Sequence, residues 1–394
     1  DPFARQAIGN LRDLFKTDKR MLILTGAMFD IPIELRPDIV LLQEPSPSDT
    51  AILGMIDDLT QGMPVSPDVA MKASLLDAVR GTSSLFGAEQ IIAMSVAGRE
   101  VPDVQGAWDR KVAVVNQTKG LNLTIGEDAG PGGGLSSLMG YVRRLYGGTK
   151  AIIFIDELEK MMAGLGTGGG PGDSTGVTQD ALGVVLKWMD GGGGKPRNNG
   201  LLLVGHPGTG KSLTAQAVAG MGSLPLFSVD LGSAKGSLVG ESEQNIRSIF
   251  NAIDGVAQGA SLVIATCNKI EVLPPELRRR FTCGTWFLDL PTQEELAEIF
   301  PIHAGGLGKD QVDLGPDALQ GWTGAEVRNL CSTARMLSCS LKEAKAYIVP
   351  LMSADPQSIA RLRDAAEGRW LSASYPGTYR KPEALKGRAI SKEE

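Results

Sequence analysis

The sequence predicts an α/β chain built on a parallel sheet, with a helical segment behind the sheet and a smaller α/β module ahead of it. Three observations carry this. From residue 201, short apolar runs alternate with amphipathic ones. Leu201–Val204, Leu226–Asp230, Leu262–Thr266 and Thr285–Leu290 read as strands, and Glu241–Ile253 puts Ile246, Ile249, Phe250 and Ile253 on one helical face. The run Leu201–Val204 leads into Gly205-His206-Pro207-Gly208-Thr209-Gly210-Lys211-Ser212-Leu213, a glycine-rich loop that opens a helix. From about Glu294 the pattern turns helical through about Leu371, and the tail from Ser372 mixes Pro, Gly and charge and reads as flexible.

A chain of 394 residues, 42% hydrophobic, has room for two or three domains. Its net charge of -6 argues against a general nucleic-acid or membrane-surface binder. No apolar run reaches the roughly 20 residues that span a bilayer. The first twenty residues carry charge throughout and lack a secretory pattern, so a cytoplasmic location is expected, in a cell or an organelle stroma. Cys267, Cys283, Cys331 and Cys339 have no metal-ligand spacing and read as reduced core residues.

Residues 1–125 form the expected first module. Met21–Thr25 and Ile39–Gln43 read as short strands; Asp49–Leu59, Ala70–Val79, Gly87–Ala97 and a stretch near Trp108–Gln117 read as helices. The module repeats, in order, pieces of the later half. Met21–Thr25, Ile31-Pro-Ile-Glu-Leu35, Asp38–Pro45 and Phe86-Gly-Ala-Glu89 answer to Leu262–Thr266, Leu273-Pro-Pro-Glu-Leu277, Thr285–Pro291 and Thr323-Gly-Ala-Glu326. It has no phosphate loop and no acidic strand end, so it reads as a decayed copy with a structural or partner-binding role.

Three glycine-rich connectors follow, Gly126–Gly134, Gly164–Gly176 and Gly191–Gly200. Between the first two lie a helix, Leu135–Leu145, and the strand Ala151-Ile-Ile-Phe-Ile155, which ends in Asp156-Glu157. Between the last two lies a helix with Val177, Ala181, Val184 and Trp188 on one face.

The chemistry centres on phosphate. Gly205, Gly208 and Gly210 let backbone N–H groups turn toward anionic oxygens, and the helix that follows points its positive end at the same place. Lys211 is placed to reach β- and γ-phosphates, and Ser212 to ligate Mg²⁺. Two carboxylates at the end of a buried strand are costly unless they face a cation or water. Asp156 is therefore a candidate Mg²⁺ partner and Glu157 a candidate base for the attacking water. Asn268, at the end of another strand, could orient that water, although a lone Asn there is more often a turn residue. Three consecutive arginines, Arg278–Arg280, are ordinarily a solvated face.

Taken together, Gly205–Ser212, Val239-Gly-Glu-Ser-Glu243, Ala265-Thr-Cys-Asn268, Pro274–Phe281 and Thr323–Glu326 resemble an AAA+ ATPase, nearest the AAA group of the proteasomal, katanin-like and FtsH-like enzymes. A degenerate module ahead of a single ATPase module resembles a cyanobacterial and plastid-encoded AAA family. The resemblance implies ATP and Mg²⁺ as ligands, a P-loop core with a five-stranded parallel sheet over 126–293, a helical lid over 294–371 and a tail over 372–394. It implies that Asn268 is the sensor residue and that Arg279 and Arg280 act on ATP held by the next subunit. His303, Gly324 and Ala325 contact the nucleotide, as does the loop 205–213 with His206, Pro207, Thr209 and Leu213. It further implies a homo-oligomeric, hexameric ring acting on a protein client; a nucleotide-gated loader and a nucleic-acid motor are the alternatives.

Two departures stand out. The family carries an aromatic pore residue where this chain has Leu238. The acidic strand Ile152–Glu157 precedes the phosphate loop, whereas the family places it after. With the family's sheet order 5-1-4-3-2, right-handed crossovers still return each helix to its own face after this rearrangement, and the Gly191–Gly200 connector spans up to ~30 Å when extended. The acidic strand is therefore expected parallel between Leu226–Asp230 and Leu262–Thr266 of its own chain, with Asp156 beside Ser212, because four consecutive large apolar residues need both sheet faces covered.

Overall fold

The computed structural model describes residues 7–8, 10–11, 14–15, 17–23, 39–40, 47–82, 84–126, 135–162, 177–191, 199–222, 224–232, 241–257 and 260–382, with the backbone alone at 146, 162, 177–181 and 241–244. Residues 1–46 form one compact unit and residues 47–394 another. In the first, residues 21–23 and 39–40 carry no regular structure, and the rest of the expected strands Met21–Thr25 and Ile39–Gln43 lies outside the described residues.

The second unit opens with helices α1 (Asp49–Thr60), α2 (Val69–Val79), α3 (Leu85–Val96) and α4 (Val104–Val115). Ser48, Asp68, Ser84 and Asp103 cap them, each side chain accepting a backbone N–H of the first turn. Their shared core is Ile52, Ile56, Leu75, Val79, Ile91 and Ile92. Phe86-Gly-Ala-Glu89 lies inside α3, two residues past its cap, whereas Thr323 itself caps the helix of its counterpart motif.

The sheet follows. Its strands are β1 (Leu121–Ile125), β2 (Ala151–Ile155), β3 (Asn199–Gly205), β4 (Pro225–Val229), β5 (Ser261–Cys267), β6 (Thr285–Leu288) and β7 (Leu371–Ser372). Interleaved with them are α5 (Ser136–Leu145), α6 (Val177–Met189), α7 (Lys211–Gly220), α8 (Glu241–Ala257), α9 (Gln293–Ala304), α10 (Gly324–Leu337) and α11 (Pro356–Ala366), besides shorter turns. The spatial order is β1-β4-β2-β5-β3-β6-β7. All neighbours are parallel except β1, which runs antiparallel to β4.

The displaced acidic strand β2 thus lies between β4 and β5 of its own chain, with Ile155 opposite Val229 on one side and Ala265 on the other. Ala151, Ile152, Ile153 and Ile155 are fully buried and Phe154 nearly so. Alternation splits them: Ile153 and Ile155 pack with α6 and α8, through Val185, Trp188, Ile249 and Ile253. Ile152 and Phe154 pack with α5 and α7, through Leu138, Val142, Ala215 and Val218. Each fully buried aliphatic contributes about 1.5–3 kcal/mol, and only a central strand supplies cover on both faces. Trp188 of α6 stacks on Phe250 of α8 at 4.2 Å and donates its indole N–H to Asp254 at 2.8 Å, locking the displaced block to the sheet. Val177 and Ala181 lie among the residues whose side chains are not described.

The sheet differs from the expectation at its edges. Among the described residues it has seven strands, not five. The boundary expected at 125 falls after β1, yet β1 pairs with β4 through all five of its residues, because Leu121 and Leu123 bury their side chains on the core face. Nor is the segment from Ser372 a loose tail as far as 382. Ser372 extends the sheet on β6, and Tyr379 packs edge-on against Phe287 and donates its hydroxyl to Asp289 at 2.6 Å. The helical lid has its own core of Leu296, Phe300, Leu319, Val327, Leu330 and Leu341. α11, expected within the lid, instead sends Leu362 and Ala366 into the sheet's core.

Candidate functional site

The site forms where β2, β3 and β5 end, at the carboxyl edge of the sheet. β3 delivers the loop 206–210. Gly208 and Gly210 adopt φ of 84° and 93°, a left-handed backbone that suits glycine. A Cβ at Gly205 would stand 2.4 Å from Leu288 O, so the strand can enter the loop only as glycine. Thr209 and Thr214 hold the turn through hydroxyl bonds to His206 O (2.8 Å) and Gly210 O (3.0 Å). Helix α7 then starts at Lys211, its free N–H groups facing the loop.

Lys211 is 7% exposed, and its Nζ donates to Gly205 O (2.8 Å) and His206 O (2.7 Å). Burial lowers its pKa to about 8, against the pull of Glu159, Asp156 and Glu157. His206 is 5% exposed; burial, then the Lys211 charge, hold its imidazole below the ordinary range. The buried atoms His206 Nε2, Asn268 Oδ1 and Glu159 Oε2 have no hydrogen-bond partner. A buried ammonium held only by neutral carbonyls, beside orphaned polar atoms and a helix N-terminus, fits a polyanionic ligand with its cation.

The acidic pair sits beside this loop. Ser212 Oγ lies 3.4 Å from Asp156 Oδ1, close enough for both to share one cation. Asp156 Oδ1 also accepts the Thr266 hydroxyl at 2.6 Å, and Thr266 Oγ1 accepts Glu157 N at 2.8 Å. Glu157 has φ of 47°, a conformation that turns the chain sharply off the strand. Asn268 Nδ2 donates to Glu157 Oε1 at 3.3 Å, and Asn268 N donates to Glu159 Oε1 at 3.0 Å. Lys160 forms an ion pair with Glu157 Oε2.

The lid closes on the loop from the other side. Thr323 caps α10 in a reciprocal box with Glu326, and Ala325 N donates to Gly208 O at 3.2 Å. A Cβ at Gly208 would stand 2.9 Å from Ala325 Cβ, and one at Gly324 would stand 3.8 Å from Gly208 O. His303 is half-buried in the last turn of α9, its pKa lowered by burial and by Arg328 and Arg335. Pro207, Ser212 and Leu213 are exposed.

The structure separates the two arginines expected to act on a neighbour. Arg279 is exposed, as is Arg278. Arg280 is half-buried and paired with Asp190, just past the end of α6, at 2.7 Å. Within this subunit the pair ties the displaced block to the turn after β5. Leu238 lies outside the described residues, as do Val239 and Gly240 and the side chains of Glu241–Glu243.

Sequence reasoning missed Thr266, Glu159, Lys160 and Asp190. Thr266 left a trace, a lone hydroxyl after the apolar run Leu262–Ala265. Glu159 left another, a third acid after Asp156-Glu157. Asp190 left none.

Comparison with known proteins finds similarity to AAA proteins. Residues 201–259 match the ATPase family associated with various cellular activities (AAA). An uncharacterised AAA domain-containing protein ycf46 of Trieres chinensis is 26% identical over 338 residues, 75% of this chain and 60% of that protein. The ycf46 protein of Pyropia yezoensis is 37% identical over 28% of this chain and 30% of its own length. The ATP-dependent zinc metalloprotease FtsH of Rhodothermus marinus is 32% identical over 37% of this chain and 28% of its own. The chain thus spans less than two thirds of the length of these relatives. The crystal structure of the FIGL-1 AAA domain superposes with a TM-score of 0.34 at 20% identity, over 47% of this chain and 85% of that one.

Proposed function

We propose, on the premise that this chain carries an AAA domain homologous to those of ycf46 proteins and FtsH, that it hydrolyses ATP as a subunit of a ring and uses the cycle to remodel a protein partner. One observation carries the reading: Asp156, just past β2, and Ser212 of α7, 56 residues apart in sequence, stand 3.4 Å apart within one subunit. Beside them Asn268 is hydrogen-bonded to Glu157, and Lys211 opens the same helix as Ser212.

Lys211 leaves the carbonyls of Gly205 and His206 for the β- and γ-phosphates, to which the loop N–H groups also donate. Ser212 and Asp156 would hold Mg²⁺, which would supply positive charge to the phosphate oxygens. Glu157 takes the proton of the attacking water, and Asn268, hydrogen-bonded to Glu157, aligns that water. Gly324, Ala325 and His303 line the adenosine side, where α10 meets Gly208. Arg279, exposed beyond Pro275–Arg278, supplies positive charge to the neighbour's ATP, an effect worth ~10³–10⁵ in rate.

A hexamer is the assembly this reading favours, with an unidentified protein as client and the cytoplasm or an organelle stroma as its place. Among the described residues no helix is long and apolar enough to cross a membrane. The net charge of -6 disfavours nucleic acid as a partner. An aliphatic at Leu238 offers less grip on an extended polypeptide than an aromatic, which favours local remodelling over threading. The helices α1–α4 correspond, on this reading, to the lid of the decayed copy.

The test is steady-state ATPase activity against protein concentration, together with capture of bound proteins by the ATP-locked Glu157→Gln variant. Specific activity is expected to rise with concentration. Activity that is absent at every concentration, or independent of it, overturns the ring reading.

A further inference from the structure

Glu157 is not at rest as a free carboxylate. Oε1 accepts from Asn268, and Oε2 is paired with Lys160. One lone pair on each carboxylate oxygen is therefore engaged, and the carboxylate is held in one orientation.

Two anchors make the Lys160 contact a built feature rather than a chance meeting of surface charges. The Glu157 backbone is aimed by the Thr266 hydroxyl and by its left-handed φ. The Lys160 backbone is aimed by the tight turn Leu158–Met162, in which Lys160 N donates to Glu157 O at 2.8 Å and Leu158 and Met161 are buried in the sheet's core. Only the lysine side chain is loose, 64% exposed. A second carboxylate lies near its base. Asp230, at the end of β4, accepts from Gly232 N at 2.9 Å, and a Cβ at Gly232 would touch Lys160 Cβ at 4.0 Å. Asp230 and Asp156 are the further negative charges felt by Lys160.

We infer that Lys160 is a positioning residue that restrains the Glu157 carboxylate while the site lacks nucleotide and passes to Asp230 when Mg²⁺ and nucleotide bind. This rests on Glu157 being the base proposed above. Mg²⁺ held at Asp156 would cancel one of the negative charges beside the lysine, and the attacking water would compete for Glu157, which leaves the Asp230 carboxylate, itself already bonded, as the remaining negative charge felt by Lys160. The restraint is modest in size, because an exposed ion pair shifts an equilibrium by about fivefold at most.

The experiment has two arms. In the first, turnover of Lys160→Met is expected to rise about two- to fivefold, with KM for ATP changed by less than about twofold. Lys160→Arg keeps the restraint and the original rate. Asp230→Asn strands the lysine on Glu157 and lowers turnover, and the double variant Lys160→Met/Asp230→Asn returns to the rate of Lys160→Met. A role limited to folding would not produce that reversal. Equal or lower turnover for Lys160→Met overturns the inference.

The second arm does not depend on turnover. A carbodiimide activates the Glu157 carboxyl, the Lys160 amine displaces it, and an amide forms as the reagent leaves carrying the elements of water. The peptide loses the mass of one water and its tryptic cleavage after Lys160. The amide is expected without nucleotide and strongly reduced with Mg²⁺ and a non-hydrolysable ATP analogue. Its absence in the first state, or persistence in the second, overturns the inference. If the unmodified protein hydrolyses no ATP, the reading of Glu157 as a base falls, while this arm still decides whether nucleotide releases the lysine.

Discussion

Thr266 donates its hydroxyl to Asp156 at 2.6 Å and accepts the amide of Glu157 at 2.8 Å, so one side chain on β5 sets the direction of both acids that follow β2. Thr266→Val keeps the shape, frees Asp156 to rotate and leaves the Glu157 N–H unpaired. Loss of such a supporting partner typically lowers metal affinity or activity about 10–100-fold. The expected outcome is a higher Mg²⁺ requirement for turnover, read from a Mg²⁺ titration, with the circular dichroism spectrum unchanged.

Lys211→Ala is expected to abolish detectable nucleotide binding. Its ammonium is the one charged donor that the loop itself carries, and a hydrogen bond to a charged group is worth about 1.5–3 kcal/mol. Titration calorimetry with a non-hydrolysable ATP analogue reads the loss. Unchanged affinity would contradict the assignment of the loop.

Arg279 and Arg280 are expected to behave differently. Arg279→Ala lowers turnover about 10³-fold or more without weakening nucleotide binding, and mixing it with Glu157→Gln subunits restores part of the activity. Arg280→Ala breaks the pair with Asp190 and leaves that carboxylate without its arginine. It lowers the melting temperature, as does Asp190→Asn, and the double variant costs less than the sum of the two. A mixing experiment in which Arg280→Ala is rescued and Arg279→Ala is not would reverse the roles.

Gly208→Ala tests the seam between loop and lid. The new methyl group would meet Ala325 Cβ at 2.9 Å and Thr323 Oγ1 at 3.0 Å, on a backbone with φ of 84°. The left-handed conformation alone costs an alanine about 1–2 kcal/mol. Adenine-nucleotide affinity is expected to fall at least about tenfold, since the loop cannot keep its shape while α10 stays in place.

Lys111 makes the helical bundle pH-dependent. It is 1% exposed, with Nζ bonded to Asp77 O (2.9 Å) and Arg80 O (2.6 Å) and 4.8 Å from the Trp108 ring. Burial lowers its pKa from 10.5 to about 7. Between those values the unfolded chain holds the proton and the folded chain does not, so stability rises with pH across that window and levels off above it. Urea midpoints measured from pH 6 to 10 are expected to climb for the unmodified protein and to climb less for Lys111→Met.

Much of this molecule could be read without coordinates. The loop Gly205–Ser212 is a contiguous string whose conformation follows from its own glycines. The helices of residues 49–115 are announced by capping residues and apolar spacing, and Ile152–Ile155 declares itself a central strand by being apolar on both faces. The expected neighbours of that strand were also the observed ones, because crossover handedness leaves few ways to thread a rearranged sheet. The edges were not legible. β1 has only two inward side chains, and β7 is two residues long; neither pattern rises above that of a loop.

What the sequence determined by itself is therefore what local forces determine: backbone conformation at glycines, helix caps, the period of apolar residues and the order in which strands can be crossed. Only the tertiary structure decided how the polar groups pair. Thr266 meets Asp156 across 110 residues, Asn268 meets Glu157 across 111, and Arg280 meets Asp190 from another element altogether. Such pairs leave no periodicity in the chain. A hydrogen bond requires an alignment of a few tenths of an ångström, and that alignment exists only once two strands and a turn have been packed together by their apolar faces. The same reason explains why Arg279 and Arg280, indistinguishable as neighbours in sequence, part company in the fold, one exposed and the other held by an acid that the displaced block carries to it.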